Sequence, residues 1–284
     1  MAQHKATMVL QRVVTGAIMI PVLTASIRWG GELLFLIIVL LLAGVGLTEY
    51  FRAALPDEHI GERVMGTGLG LFILICIFLE SRVLQGNGSS WYFLSIAGCA
   101  TSFFVLFFYS IFTAQEMAAA VNRMALKMFG MLYVCLFFSY MILLRAKPQG
   151  PSLILFLLFV TWAGDAGSYI VGSWKGKRPL CPRISPKKTV EGAAGGFIWG
   201  ISVAAVSLFF LFKGTPPGYG LMIGAGINIM NQLGDLSESI IKRAFGIKDS
   251  GVIFPGHGGV LDRIDSLLFA APFLFYCAPA LITA

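Results

Sequence analysis

The chain is short of charge. Only 12% of its 284 residues are Asp, Glu, Lys or Arg, against about 25% in an ordinary soluble domain. Hydrophobic residues make up 57%, and mean hydropathy is +0.82. That balance excludes a disordered chain and a typical soluble globule. Histidine and cysteine are scarce too, at three and five. His4, His59 and His257 are isolated from one another. Cys76, Cys99, Cys135, Cys181 and Cys277 are odd in number and scattered, with four of them inside apolar runs. No C-x-x-C occurs, which argues against a disulfide framework, a zinc site and a thiol redox centre. Repeats of fixed period and low-complexity tracts are missing, and no nucleic-acid partner is expected.

What the chain does have is charge-free runs, over residues 13–27, 33–48, 64–79, 83–115, 128–144, 148–164, 192–212, 214–234 and 266–284. A helix needs about 17–25 mostly apolar residues to cross a bilayer. The shorter runs are flanked by Arg12, Arg28, Arg63 and Arg82, whose long stems can snorkel to the interface. The expectation is an all-α, polytopic transmembrane bundle of about nine spans, the sixth continuing through Asp165 to about Ser173. The first span reads as a retained anchor, because no A-x-A-like cleavage site follows it. Nine spans put alternate loops on opposite sides. One side then holds sixteen Lys and Arg residues and the other holds five: Arg28, Arg82, Arg145, Lys147 and Lys213. The richer side is expected to be cytoplasmic, and the N-terminus with it. An integral membrane protein with its polar loops on the cytoplasmic side is expected.

The chain divides near residue 150. Residues 1–150 hold five apolar spans with short loops. The stretch 49–63, EYFRAALPDEHIGER, reads as a solvated connection broken by Pro56. Residues 151–284 hold four spans and two polar cytoplasmic loops, about 174–191 and 235–265, where any chemistry is expected. Asp165 lies inside an otherwise apolar helix, with Ser168, Tyr169 and Gly172 on its face. An ionisable group at that depth faces a polar interior and marks function, unless it only bonds neighbouring helices. In PRISPKKTVEG, 182–192, Arg183, Lys187 and Lys188 accompany the hydroxyls of Ser185 and Thr189. Glu191 then precedes a glycine-rich helix start. Ammonium, guanidinium and hydroxyl donors beside a helix N-terminus suit a phosphate; inside-positive charge with a helix cap is the plainer account.

Further on, Asp235, Glu238, Ser239 and Lys242 fall at i, i+3, i+4 and i+7, one face of a helix. Their carboxylates are hard oxygen ligands suited to Mg²⁺. Lys242 and Arg243 follow. Asp262 and Asp265 form a second i, i+3 pair with Arg263 between them. Before that pair, Lys248 and Asp249 open a loop in which Gly256, Gly258 and Gly259 flank His257, so that backbone amides can approach an anion closely. Carboxylates from two helices with a glycine loop and basic residues between suggest a metal-bound polyphosphate site.

The stretch SIIKRAFGIKDSGVIFPGHGGVLDRID, 239–265, resembles the signature of the phosphatidate cytidylyltransferases, or CDP-diacylglycerol synthases. Its pattern of Ser-x-x-Lys-Arg, Lys-Asp, His-Gly-Gly and Asp-Arg-x-Asp is filled by Ser239, Lys242, Arg243, Lys248, Asp249, His257, Gly258, Gly259, Asp262, Arg263 and Asp265. GDLSES and SPKKTVEG resemble the family as well. The likeness is strong over 160–270 and one of hydropathy alone before that. It implies that CTP and phosphatidic acid from the inner leaflet give CDP-diacylglycerol and pyrophosphate, with Mg²⁺ required; a second, monovalent cation is left open, as is a homodimer. On this reading Asp235, Glu238, Asp262 and Asp265 hold metal. Lys242 and Arg263 act with Asp235, Asp262 and Asp265 in catalysis. Asp165, Ser185, Lys187, Lys188, Thr189, Glu191, Ser239, Arg243, Lys248, Asp249, His257, Gly258 and Gly259 surround substrate. Three rivals stand beside it. An anion or lipid transporter would suit Asp165 but leaves the carboxylate pairs unexplained. A CDP-alcohol phosphotransferase lacks its D-G-x-x-A-R motif here. A lipid kinase would use a different nucleotide and transfer a different phosphate.

Overall fold

Lipid offers the backbone no hydrogen bonds, so a chain of apolar runs closes its polar groups within helices. The computed structural model describes residues 21–87, 93–114, 116–251 and 258–282. Residues 21–29 are helical. They are followed by α1 (Gly31–Ala54), α2 (Ile60–Asn87) and α3 (Phe93–Thr113). The next helix is composite: α4 (Met117–Gly130) passes through a π-helical turn (Met131–Leu136) into α5 (Phe137–Ala146). Then come α6 (Gly150–Lys175), a two-stranded hairpin of β1 (Pro179–Cys181) and β2 (Ser185–Thr189), and α7 (Val190–Leu211). The chain ends in α8 (Pro217–Ala244), α9 (Leu261–Cys277) and the short α10 (Pro279–Ile282).

Six helical stretches among the described residues are long and apolar enough to cross a membrane: Gly31–Ala54, Ile60–Val83, Phe93–Thr113, Met117–Ala146, Gly150–Lys175 and Val190–Leu211. The chain is therefore a polytopic, helical membrane protein. The 83–115 run, expected as one span, is instead the end of α2 and the whole of α3. Thirty-three residues exceed what one crossing needs, and Gly86 and Gly88 mark the division in the sequence. The expectation of purely helical structure also needs one correction, because the 174–191 loop contains an antiparallel hairpin pairing Pro179 with Thr189 and Cys181 with Ser185.

The centre of the bundle is the first half of α6. Leu153, Ile154, Phe156, Leu157 and Val160 are fully buried there. Around it pack α5, α7, α8 and α9. α3 stands at the periphery and leaves Phe104, Phe108 and Phe112 exposed, a surface that suits hydrocarbon. The tightest packing joins α6 to α7 through small residues. A Cβ on Gly192 would lie 2.9 Å from the Ser168 carbonyl oxygen, so backbones meet there directly. The second half of α6 is thereby held beside the start of α7, and both face the polar end of α8.

Candidate active site

The hairpin is fastened to the start of α7. The Thr189 Oγ1 accepts from the Gly192 amide at 3.1 Å and caps the helix. The Glu191 carboxylate accepts from the amides of Lys177 (3.0 Å) and Arg178 (3.1 Å) and from Arg178 Nε (3.0 Å). At the hairpin tip, Arg243 Nε donates to the Ile184 carbonyl at 3.3 Å, and Arg243 also donates to the Ile247 carbonyl. Ser185, Lys187 and Lys188 are thus suspended over the polar end of the bundle.

Beneath them lies a cavity of about 1120 Å³. Its lining includes Asp165, Ser168, Tyr169 and Gly172 of α6, and Ser185, Lys187, Lys188 and Thr189 of the hairpin. From α8 and α9 come Asp235, Glu238, Lys242, Asp262, Arg263 and Asp265, with Lys248, Asp249 and Gly258 from the loop between. Most of the residues expected at a site from sequence are brought together here. Four described ones fall outside the lining. Glu191 and Arg243 brace the hairpin, as above. Ser239 is buried within the bundle. Gly259 spends its amide on Asp262 Oδ2 at 2.8 Å. His257 lies outside the described residues.

Close approach of α8 and α9 assembles the carboxylates. A Cβ on Gly234 would lie 2.7 Å from the Asp265 carbonyl oxygen and 3.0 Å from the Ser266 Cα. With no side chain between the helices, Asp235, Glu238 and Asp265 each bring a carboxylate oxygen within 4.8 Å of the others. Glu238 is fully buried, and apart from Lys242 Nζ at 2.5 Å no described group pairs with its oxygens. Lys188 pairs with Asp235. Three carboxylates this close, one of them fully buried with a single lysine beside it, repel one another unless a further cation joins them. Oxygen ligands only, from rigid helices, fit Mg²⁺.

Asp262 was expected in the same metal set, but it is occupied differently. Its Oδ1 receives Lys242 Nζ at 2.5 Å. Its Oδ2 receives the amides of Ser250 (3.0 Å) and Gly259 (2.8 Å) and the Ser250 hydroxyl (2.9 Å). Gly258, at φ 80°, makes this turn; a Cβ there would strike the Asp262 carboxylate as well as straining the backbone. Asp262 therefore folds the loop back onto the helix start and orients Lys242.

Several contributors were not singled out from sequence. Asn231 Nδ2 donates to Asp165 Oδ1 at 2.8 Å, and Gln232 lines the cavity. Asn228 is fully buried where α6, α7 and α8 meet. These three amides sit in the charge-free run 214–234, and polar side chains at i, i+3 and i+4 before Asp235 were the available signal. Tyr133, on the π-helical turn, is buried with its hydroxyl lacking a described partner and feels the charges of Asp265, Glu238 and Asp235. Nothing in its sequence context separates it from a core aromatic.

The chain matches the sequence profile described as the Cytidylyltransferase family over residues 10–280. It is 33% identical over 269 residues to the phosphatidate cytidylyltransferase of Bacillus subtilis (strain 168), spanning 94% of this chain and 96% of that protein. Identity to the Staphylococcus saprophyticus protein of the same name is 34% over 248 residues, 86% and 89% of the two chains. A shorter match, 45% identical over 136 residues, joins it to the Staphylococcus haemolyticus phosphatidate cytidylyltransferase, over 48% and 52% of the two chains.

Proposed function

Because the chain belongs to the cytidylyltransferase family, we propose that it is an enzyme joining CTP to phosphatidate to give CDP-diacylglycerol and pyrophosphate. The observation that carries this reading is the single cavity where the basic hairpin faces the clustered carboxylates. A phosphatidate oxygen attacks the α-phosphorus of CTP; the bond from that phosphorus to the bridging oxygen breaks, and pyrophosphate leaves. Both reactants are polyanions, so the chemistry is mainly positioning and charge neutralisation. Lys187 and Lys188 on the hairpin and Arg263 on α9 are suited to hold phosphate oxygens, with the Ser185 and Thr189 hydroxyls beside them. Asp235, Glu238 and Asp265 would hold Mg²⁺, which when bound offsets phosphate charge. Lys242 is held between Glu238 and Asp262 and keeps both carboxylates aimed. A phosphate monoester has its second pKa near 6, so phosphatidate arrives ionised and no side chain is assigned as a general base.

We also read the bundle as nine spans: the 13–27 run, the six apolar stretches, α8 and α9. α8 and α9 are polar at one end because they carry the site. The last turns of α1, α6 and α8 and the first turns of α7 and α9 lie at that end, which is the side richer in Lys and Arg. This supports a site facing the cytoplasm of a bacterial inner membrane, where CTP is dissolved, with the second half of α6 bordering the lipid. The test is purified protein with radiolabelled CTP in micelles. Label from the α-phosphate should enter lipid, with pyrophosphate released, only when both phosphatidate and Mg²⁺ are present. Release without phosphatidate, or transfer of the γ-phosphate, would overturn the assignment.

A further inference from the structure

The first turn of a helix leaves backbone amides unpaired, and a local side chain usually accepts from one of them. At α9 the cap residue is Val260, which has no group to do so. The amides are satisfied from the other half of the chain. Glu49, near the end of α1, is 3% exposed. Its Oε1 accepts from the Val260 amide at 3.1 Å and its Oε2 from the Leu261 amide at 2.9 Å. The same Oε2 lies 3.1 Å from the Ser250 hydroxyl, and that hydroxyl is 2.9 Å from Asp262 Oδ2. A hydroxyl has one proton, so Ser250 can donate to Glu49 or to Asp262 at any moment, not to both. Room for the carboxylate is left by glycine: a Cβ on Gly251 or on Gly259 would strike it.

The turn that Glu49 caps carries Asp262, Arg263 and, one turn later, Asp265. We infer that Glu49 is a positioning residue for this site: by bonding the Val260 and Leu261 amides and the Ser250 hydroxyl, it fixes the start of α9 and so the direction of the Asp262 and Asp265 carboxylates. The inference rests on the reading of Asp235, Glu238 and Asp265 as a divalent-metal site. The negative charge of Glu49 at a helix N-terminus is favourable in its own right, and bonds from amides to a buried carboxylate are of the stronger kind. The contact also ties the first 150 residues to a site formed mainly by the last 134: α1 supplies the fixed point against which α9 is set.

The test uses the full chain in detergent without substrates. Mn²⁺ binding is followed by electron paramagnetic resonance, and Tm is measured without metal. Glu49→Gln keeps the shape, but its one carbonyl oxygen leaves an amide unpaired. Outer-shell partners of a metal site typically change affinity by about 10–100-fold, and a weakening of Mn²⁺ binding in that range is expected in the folded variant. In turnover assays the Mg²⁺ concentration for half-maximal rate should rise to match, with KM for phosphatidate nearly unchanged. A purely structural cap would lower Tm and leave Mn²⁺ affinity of the folded protein alone; that result overturns the inference. If Glu49→Gln yields no folded protein, Glu49→Asp takes its place with the same expectation, since its shorter carboxylate retracts from the two amides. Wild-type protein that binds no Mn²⁺ and turns over without divalent metal would instead remove the metal reading itself.

Discussion

Gly234→Ala tests whether the contact between α8 and α9 builds the carboxylate cluster. The added Cβ would lie 2.7 Å from the Asp265 carbonyl oxygen, where ordinary contact begins at 3.4 Å. The shortfall is about 0.7 Å, and the obstacle is backbone, so no side chain can rotate away. The helices must part by a comparable distance, carrying Asp235 and Glu238 away from Asp265. Overpacking of this kind costs about 1–3 kcal/mol, which the bundle should survive. A displacement near 1 Å in a reacting geometry can cost about 100-fold in rate. The expected outcome is a folded variant with kcat lowered roughly ten- to a hundredfold and a higher Mg²⁺ concentration needed for half-maximal rate. The assay is label transfer from CTP to phosphatidate, with elution on size exclusion to confirm folding. Gly68→Ala on α2 is the control: its Cβ would meet nothing within 4 Å, and alanine is favoured over glycine in a helix by about 1 kcal/mol. A Gly234→Ala enzyme within twofold of wild type would refute the idea that this approach sets the cluster.

Lys242→Met leaves Glu238 and Asp262 without their shared ammonium; removing one partner of a buried pair costs about 3–5 kcal/mol, so Tm in metal-free detergent should fall, and an unchanged Tm would contradict the pairing. Glu191→Gln should loosen the hairpin and raise KM for CTP with smaller change in kcat, read from initial rates; equal KM values would free the hairpin from nucleotide binding. Cysteine placed by Ser168→Cys, in a background lacking the five native cysteines, should react with a water-soluble thiol reagent and be protected by CTP with Mg²⁺. Absence of labelling in active protein would take α6 out of the site. Mn²⁺ and CTP should each bind more tightly in the presence of the other, and equal affinities with and without the partner would exclude that linkage.

Regular spacing made much of the site legible. Asp235, Glu238 and Lys242 recur at helical intervals, and Asp262 and Asp265 repeat the pattern, so convergence of two polar helix ends followed from sequence. Asp165 stood out as an acid in an apolar run. The hairpin did not, because three- and five-residue strands with Pro179 and Pro186 show no alternation of apolar and polar positions. Glu49 was hidden for another reason. In LTEYFR, beside Arg52, it has the look of a solvated interfacial charge. Its partners Ser250, Val260 and Leu261 are 201 to 212 residues away, a separation that no local pattern reports. Asp262 stands out in the sequence as half of an i, i+3 pair, but its accepting bonds from Ser250 and Gly259 depend on the loop's path, not on spacing.

The reason to expect linkage between metal and nucleotide is the balance of charge in the cavity. Its lining holds six carboxylates, Asp165, Asp235, Glu238, Asp249, Asp262 and Asp265, against five cations, Lys187, Lys188, Lys242, Lys248 and Arg263. A pocket so nearly neutral has little attraction for a triphosphate by itself. Two of its cations, moreover, are already engaged by acids: Lys188 with Asp235, and Lys242 with Glu238 and Asp262. A divalent ion between Asp235, Glu238 and Asp265 would turn the local balance positive and compete with Lys188 for Asp235. The hairpin lysine would then be available to phosphate. Conversely, phosphate drawn to Lys188 would leave Asp235 short of a counter-charge and favour the ion. Each ligand thus removes a cost that the other would otherwise meet, and a cavity built this way binds either one more tightly when the other is present.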